Sequence, residues 1–428
     1  MARLKGKAVV AQSGGPTAVI NASACGVVQT CLKNPNVFTG VLGSLNGILG
    51  VLKEELFDLG GEDPLQIDRL RRTPSAALGS CRHKLKSLEK DRTDYQRVLE
   101  VFKAHDIRYF FYIGGNDSMD TADKLARLAR ETNYEMIAMG VPKTIDNDLA
   151  FTDHCPGFGS VAKFTATSVM EAGLDTASLY THDTCTAQEI MGRNAGWIAA
   201  SAGLARRKPE DAPHIILLPE IPVTVEKLVK DVKDCLANFK RCFVAVGEGA
   251  KTPEGKYLGE AGGAFAKDAF GHTQLGGAAD AVRAIIESQA GVKCRVNRAG
   301  TMQRVAMHWA SKTDIDEAYM AGKAAVQAAV KGTSGMMVTL VREGDGQDYK
   351  CTTGLVELEK VANGEKFLPR DFLDANGTAI TDKFRQYAEP LLAGSPKIDL
   401  DTAGLPIYAR LKRTLVAPKC PAYTGKAS

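Results

Sequence analysis

Short apolar runs alternate along the first half of this 428-residue chain with stretches of helical periodicity, and glycine or proline marks each change. Lys7–Gln12 reads as a strand, followed by Ser13-Gly14-Gly15-Pro16 and a helix from about Thr17 to Leu32. Ile107–Ile113 is a second strand, closed by Gly114-Gly115 and followed by a helix over Ser118–Glu131. Glu135–Val141 is a third, closed by Pro142. Strand, tight turn and helix in repeated order predict a parallel sheet covered by helices on both faces. The pattern resumes beyond residue 150, where His214–Leu218 and Cys242–Val246 are strand-like. Between them Val225, Leu228, Val229, Val232, Cys235, Leu236 and Phe239 recur at helical spacing. The middle of the chain is therefore a second α/β unit. A helix is expected over Ile315–Val330 and a strand over Gly335–Val341. After Arg342 the pattern weakens, and a tail from Pro390 to Pro421 carries five prolines.

At this length roughly two or three domains are expected. With 44% hydrophobic and 24% charged residues the chain is not of a disordered class, and it contains no apolar run long enough to cross a membrane. Lys plus Arg total 54 against 50 acidic residues, a balance that excludes a nucleic-acid footprint and leaves only local anion sites. The ten cysteines include no C-x-x-C pair, and the first residues lack a secretory apolar run, so reduced thiols in a cytoplasm are expected. Trp197, Trp309, Met336 and Met337 read as core, and His182, His214, His272 and His308 as structural.

Open parallel sheets bind ligands beyond the carboxyl ends of their strands. Three such ends carry unusual residues. Ser13-Gly14-Gly15-Pro16-Thr17 can bring backbone and a helix N-terminus close to an anion. Gly114-Gly115-Asn116-Asp117-Ser118 can do the same, with Asn116 or Asp117 offering hard oxygen to a divalent cation; Ser118 or Asp117 could equally cap the helix that follows. Pro142-Lys143-Thr144-Ile145-Asp146-Asn147-Asp148 sets two carboxylates two residues apart, with a lysine three before the first. One carboxylate can take a proton from an attacking hydroxyl, and the lysine can offset charge on a transferring phosphoryl group. Together these suggest phosphoryl transfer to a hydroxyl, which needs chiefly alignment and charge neutralisation. Walker, protein-kinase and dinucleotide-binding signatures are all missing, so a P-loop enzyme or a dehydrogenase fits poorly.

At these residues the sequence resembles the 6-phosphofructokinases, and more narrowly their pyrophosphate-dependent branch. The likeness runs through SGGPTAVIN (13–21), LGSCR (78–82), GGNDS (114–118), PKTIDND (142–148), MGRNAGW (191–197), GEGA (247–250) and GTMQR (300–304). It implies two Rossmann-like three-layer α/β/α domains with the active site in the cleft between them. Residues 1–148 with about 303–345 would hold donor and metal, 149–302 would hold fructose 6-phosphate, and 346–428 would form a C-terminal extension. The implied reaction is reversible transfer from pyrophosphate to the 1-hydroxyl of D-fructose 6-phosphate, with Mg2+, in glycolysis or gluconeogenesis. A cytoplasmic homodimer or homotetramer is implied, with neither nucleic acid nor membrane as partner. An ATP-dependent 6-phosphofructokinase and a non-catalytic sugar-phosphate-binding subunit are the alternatives.

The resemblance also assigns roles. Asp146 would be the base, with Lys143 and Asp117 beside it in the chemistry. Gly14, Gly15, Arg82, Gly115 and Ser118 match donor-phosphate positions, and Asn116 the metal position. Thr144, Asp148, Met191, Gly192, Arg193, Glu248, Arg295 and Arg304 match the substrate set, the last two holding the 6-phosphate, where a planar fork suits a dianion. Thr301 and Thr184 depart from the family, standing where a histidine and an arginine are usual. ATP-using members carry glycine at the position of Asp117 and a small apolar residue at that of Lys143. A carboxylate at 117 would fill and repel the space of a nucleotide α-phosphate. Replacing Asp117 by glycine together with Lys143 by alanine is therefore expected to admit ATP as donor. Turnover of the double variant with ATP and with pyrophosphate checks this, and an unaltered donor choice would count against it.

Overall fold

Alternate residues of the first apolar run face opposite ways, and both faces are covered. Ala8 and Val10 pack against the helices Ile20–Leu32 and Lys312–Val330, whereas Val9 and Ala11 pack against Thr93–His105 and Asn116–Glu131. A strand buried on both sides has to be apolar throughout, which is why the run is continuous. The computed structural model describes residues 4–83, 85, 90–260, 277–362 and 364–425.

In chain order the strands are β1 (Gly6–Gln12), β2 (Phe38–Ser44), β3 (Leu56–Asp58), β4 (Ile107–Gly114), β5 (Ile137–Pro142), β6 (Cys185–Ile190), β7 (Ile215–Leu217), β8 (Cys242–Gly247), β9 (Cys294–Arg298), β10 (Met336–Glu343) and β11 (Lys350–Glu357). They form a seven-stranded sheet in the order β11-β10-β5-β4-β1-β2-β3 and a four-stranded sheet in the order β7-β8-β6-β9. The larger is parallel except at its two edges, where β3 and β11 run antiparallel to their neighbours, and the smaller is wholly parallel. The expected α/β class and three-layer arrangement are therefore what the chain adopts.

Register matters more than content. Gln12 pairs with Ile113, and Gly114 with Pro142, so β1, β4 and β5 end at one level. Ile190 pairs with Gly247, so β6 and β8 end together in the second sheet. The sheets are tied at the crossover by Asp314, whose carboxylate accepts from Gly157 N at 2.9 Å and Ser160 N at 2.8 Å. Burial pushes that carboxyl up to about 6.

Several elements carry no clear pattern. β6 and β9 mix threonine, glutamine and arginine into short runs, the latter because an exposed edge strand tolerates charge. The helix Phe158–Ser178 is rich in small residues and lacks a sharp apolar stripe. The segment past 345 is more structured than its sequence suggests. β11 extends the large sheet, Phe372, Phe384 and Tyr387 pack around Trp197, and the tail bonds to β3 through Asp58 N to Thr414 O at 3.0 Å and Val416 N to Leu56 O at 2.9 Å. That tail covers an edge that would otherwise pair with other chains.

Smaller expectations also need correction. The first helix starts at Ile20 rather than Thr17, because Thr17 Oγ1 accepts from Val19 N and Ile20 N at 3.2 and 2.9 Å and caps it from outside. The helix expected from Ser118 begins at Asn116, with Gly115 at its cap, so neither Asp117 nor Ser118 is the capping residue. Trp197 and Met337 are core, but Trp309 is 38% exposed under the ammonium of Lys163. His214 is structural, its Nδ1 accepting from Phe243 N at 2.9 Å; His272 lies outside the described residues. No described helix is long and apolar enough to cross a membrane, and the ten cysteines are unpaired.

The helix behind the first strand end is held by backbone contact. A Cβ on Gly322 would stand 2.1 Å from Ser23 O, and one on Gly26 would stand 2.2 Å from Tyr319 O. Gly322→Val should therefore destabilise the protein by about 3 kcal/mol through overpacking, read as a lower urea midpoint.

Candidate active site

The three strand ends of the large sheet and two of the small one face one cleft of about 390 Å3, within the range of small-ligand sites. One wall comes from Ser13 to Pro16, Arg82 and Gly115 to Ser118; the floor from Lys143 to Asp146 and Asp148; the other wall from Met191, Arg193, Glu248 and Arg304.

Gly14 has φ +76, a left-handed conformation that favours glycine, and a Cβ there would lie 3.1 Å from Lys143 Nζ. The turn thus leaves the space into which the ammonium reaches. Lys143 Nζ donates to Gly15 O at 2.8 Å. The Gly14 N–H is already committed to Cys81 O at 3.0 Å, so that amide is not available to an anion, contrary to the simplest reading of the motif. The cationic groups around this turn are side chains: Lys143, Arg82 and Arg304.

Lys143 is 4% exposed, and burial pulls its ammonium down to about 8, with Asp146 opposing the shift. Burial pushes the Asp146 carboxyl up to about 7, Asp148 and Glu248 adding to the rise while Lys143 and Arg193 resist it. Asp148 is raised by burial too, against a hydrogen bond from Thr144. Thr144 Oγ1 also accepts from Asp146 N at 3.1 Å, fixing the loop's first turn.

On the second wall Glu248 accepts from Gly192 N at 3.1 Å, and Met191 N donates to the Gln303 side chain at 3.0 Å. Burial raises the Glu248 carboxyl. Two polar atoms in the site lack partners among the described residues: the buried Oδ1 of Asn116 and the buried Nε of Arg304. Buried polar atoms seldom stay unpaired, so each has a hydrogen bond left to make with water or ligand in the cleft.

All the anticipated site residues line this cleft except two. Gly192 is not on the surface but positions Glu248, and Arg295 lies away from the cleft, ion-paired at 3.0 Å with both Asp175 and Asp183. Thr301 and Thr184 are also absent from the lining. Asn194 and Glu365 line the cleft without having been anticipated. Asn194 lies inside the motif at 191–197, directly after Arg193, a signal within reach; Glu365 sits in the patternless C-terminal segment and had none.

A cleft fed by the strand ends of two α/β sheets, basic on one side and carboxylate-rich at its floor, is the class of the two-lobed phosphotransferases. Residues 7–329 match the family model described as Phosphofructokinase, and the chain belongs to that family. It is 47% identical over 423 residues to the pyrophosphate–fructose 6-phosphate 1-phosphotransferase of Xanthomonas campestris pv. campestris, covering 98% of this chain and 99% of that one. A protein of the same name from Halomonas elongata is 45% identical over 417 residues, covering 97% and 98%. The crystal structure of a pyrophosphate-dependent phosphofructokinase from Marinobacter aquaeolei matches with a TM-score of 0.88 at 44% identity, covering 97% of this chain and 99% of that one.

A base works ionised and a charge-neutralising lysine works protonated. With Asp146 near 7 and Lys143 near 8, turnover should rise as pH passes 7 and fall as it passes 8, a narrow bell in a kcat–pH profile. Asp146→Asn should cost on the order of 10^3-fold in turnover. A raised carboxyl pKa means that folding favours the protonated form, so its stabilisation is present below the ordinary value and lost as pH rises through about 7. The same variant should thus melt higher than the wild type at about pH 8 and not at about pH 4.

Proposed function

We propose that this chain transfers a phosphoryl group from pyrophosphate to the 1-hydroxyl of D-fructose 6-phosphate, giving fructose 1,6-bisphosphate and phosphate, and that it runs the reaction in both directions. The observation that carries the reading is the floor of the cleft, where the buried Lys143 lies in the field of Asp146 and beside the first glycine turn, with Asp117 on the same wall.

Residues 1–148 and about 303–345 hold the donor, 149–302 hold the sugar phosphate, and 346–428 are an extension over both. Gly14, Gly15, Gly115, Ser118 and Arg82 border the diphosphate. Asp117 occupies the space and charge position of a third phosphate, so only the short donor is accepted. Glu248, Met191, Gly192 and Arg193 meet the sugar, and Arg304 with its unpaired Nε meets the 6-phosphate. Asp146 takes the proton from the 1-hydroxyl, whose oxygen then bonds to the near phosphorus while the bridging bond breaks and orthophosphate leaves. Lys143 offsets the charge that grows on the departing oxygens, and Thr144 and Asp148 keep the nucleophile aligned.

Family members use a divalent metal, and the residues fit Mg2+: Asn116 presents a buried, unpartnered carbonyl oxygen next to the Asp117 carboxylate. When bound there it would draw charge off the diphosphate oxygens. Arg295 lies off its own cleft, so its phosphate-holding role belongs to the site of a neighbouring copy in a cytoplasmic homodimer or homotetramer.

The purified chain should turn over fructose 6-phosphate with pyrophosphate and Mg2+ and do so much faster than with ATP. Faster turnover with ATP would overturn the donor, and none with either would favour a sugar-phosphate-binding subunit.

A further inference from the structure

The loop at the floor of the cleft is gripped from behind by a segment whose sequence pattern announces nothing. Asn147 sits between Asp146 and Asp148 with φ 56, a left-handed conformation that few residues with a side chain adopt and that asparagine adopts most readily. The residues on either side of that bend both line the cleft.

The Asn147 side chain is fully buried, and both its nitrogen and its oxygen are bonded. Its Nδ2 donates to Tyr387 Oη at 2.9 Å, and its Oδ1 accepts from Cys155 N at 2.9 Å and from Lys366 Nζ at 3.5 Å. Lys366 Nζ also donates to Asp153 O at 2.7 Å and Thr152 O at 3.1 Å, and lies 5.1 Å from the centre of the Trp197 ring. The Lys366 N–H donates to Asp148 O at 2.8 Å, beside a backbone bridge between Leu149 and Glu365. Tyr387 Oη donates in turn to Asp153 O at 2.9 Å. The ammonium gathers the main-chain oxygens of Thr152 and Asp153 at one end of the loop and the Asn147 side chain at the other; such a group is costly to desolvate, and it holds the loop rather than any ligand.

We infer that Lys366 and Tyr387 are positioning residues of the phosphoryl-transfer reaction, clamping Asn147 in its left-handed bend so that Asp146 and Asp148 point into the cleft. The inference rests on the function proposed above. It assigns the C-terminal segment a part in turnover: the lobes bring the reactants, and this strap sets the angle of the base.

The test uses the full chain with Lys366→Met, Lys366→Gln and Tyr387→Phe, each checked for folding by circular dichroism. Folded Lys366→Met should lose on the order of 10^2-fold in kcat, the cost of a misplaced catalytic group. Its KM values for both substrates should stay within about threefold, because Arg82, Arg193, Glu248 and Arg304 line the cleft from outside the clamped loop. Lys366→Gln keeps N–H donors and should recover part of the loss, and Tyr387→Phe should lose on the order of tenfold. If Lys366→Met does not fold, the other two variants carry the test. Wild-type activity is measured first, with pyrophosphate and with ATP, and the better donor is used throughout. Folded variants with wild-type kcat, or with losses confined to KM, overturn this inference and leave the proposed reaction standing. A wild type inactive with both donors overturns both.

Discussion

A buried ammonium and a buried carboxyl, Lys143 and Asp146, share the floor of the cleft, and the rest of the site is arranged around them. Taken from water singly, each would be driven towards its neutral form; set in each other's field, each is held part of the way back. The result is a carboxyl near 7 and an ammonium near 8, two opposite charges that both change close to neutrality. The pair depends on a missing side chain, since the left-handed Gly14 leaves open the space that Lys143 Nζ reaches into.

The architecture serves that pair through register. Strand ends at one level present Ser13, Gly115 and Lys143 as neighbours although they are far apart in the chain, and the second sheet does the same for Met191 and Glu248. Neither sheet makes a reaction site alone, because one supplies the basic turn and the other the carboxylate and arginine wall. Asp314, bonded across the crossover to Gly157 and Ser160, keeps the two in a fixed relation. The C-terminal segment closes the arrangement by gripping Asn147 from outside.

Much of this was legible beforehand. β1, β4, β5 and β8 are buried on both sides along their centres and are apolar there, charge entering only at Lys7 and Arg108 near the strand starts, and the glycine and proline that end β1, β4 and β5 mark where a ligand can approach. The cradle, loop and wall motifs are contiguous, so their residue types alone point to phosphate chemistry. The strands β6 and β9 were not legible: β6 is short and buries Thr186 and Gln188 among its apolar residues, and β9 is an edge strand whose exposure lets polar residues in. Nor was the strap at 364–387, whose side-chain bonds to the loop, to main chain and to side chain alike, span more than two hundred residues. Glycine turns also read too simply: Gly14 offers room for a lysine, while its amide is bonded to Cys81.

Taken by itself, the sequence determined the class of fold, the places where chain turns at strand ends, and the chemical groups available there, because those follow from local patterns of polarity and from residue types a few positions apart. The tertiary structure decided which of those groups meet, how far burial moves Asp146 and Lys143 from their ordinary ionisation, that Arg295 turns away from the cleft, and that Lys366 and Tyr387 reach the loop. These are matters of desolvation and through-space distance, and both are set only when segments remote in the chain have packed.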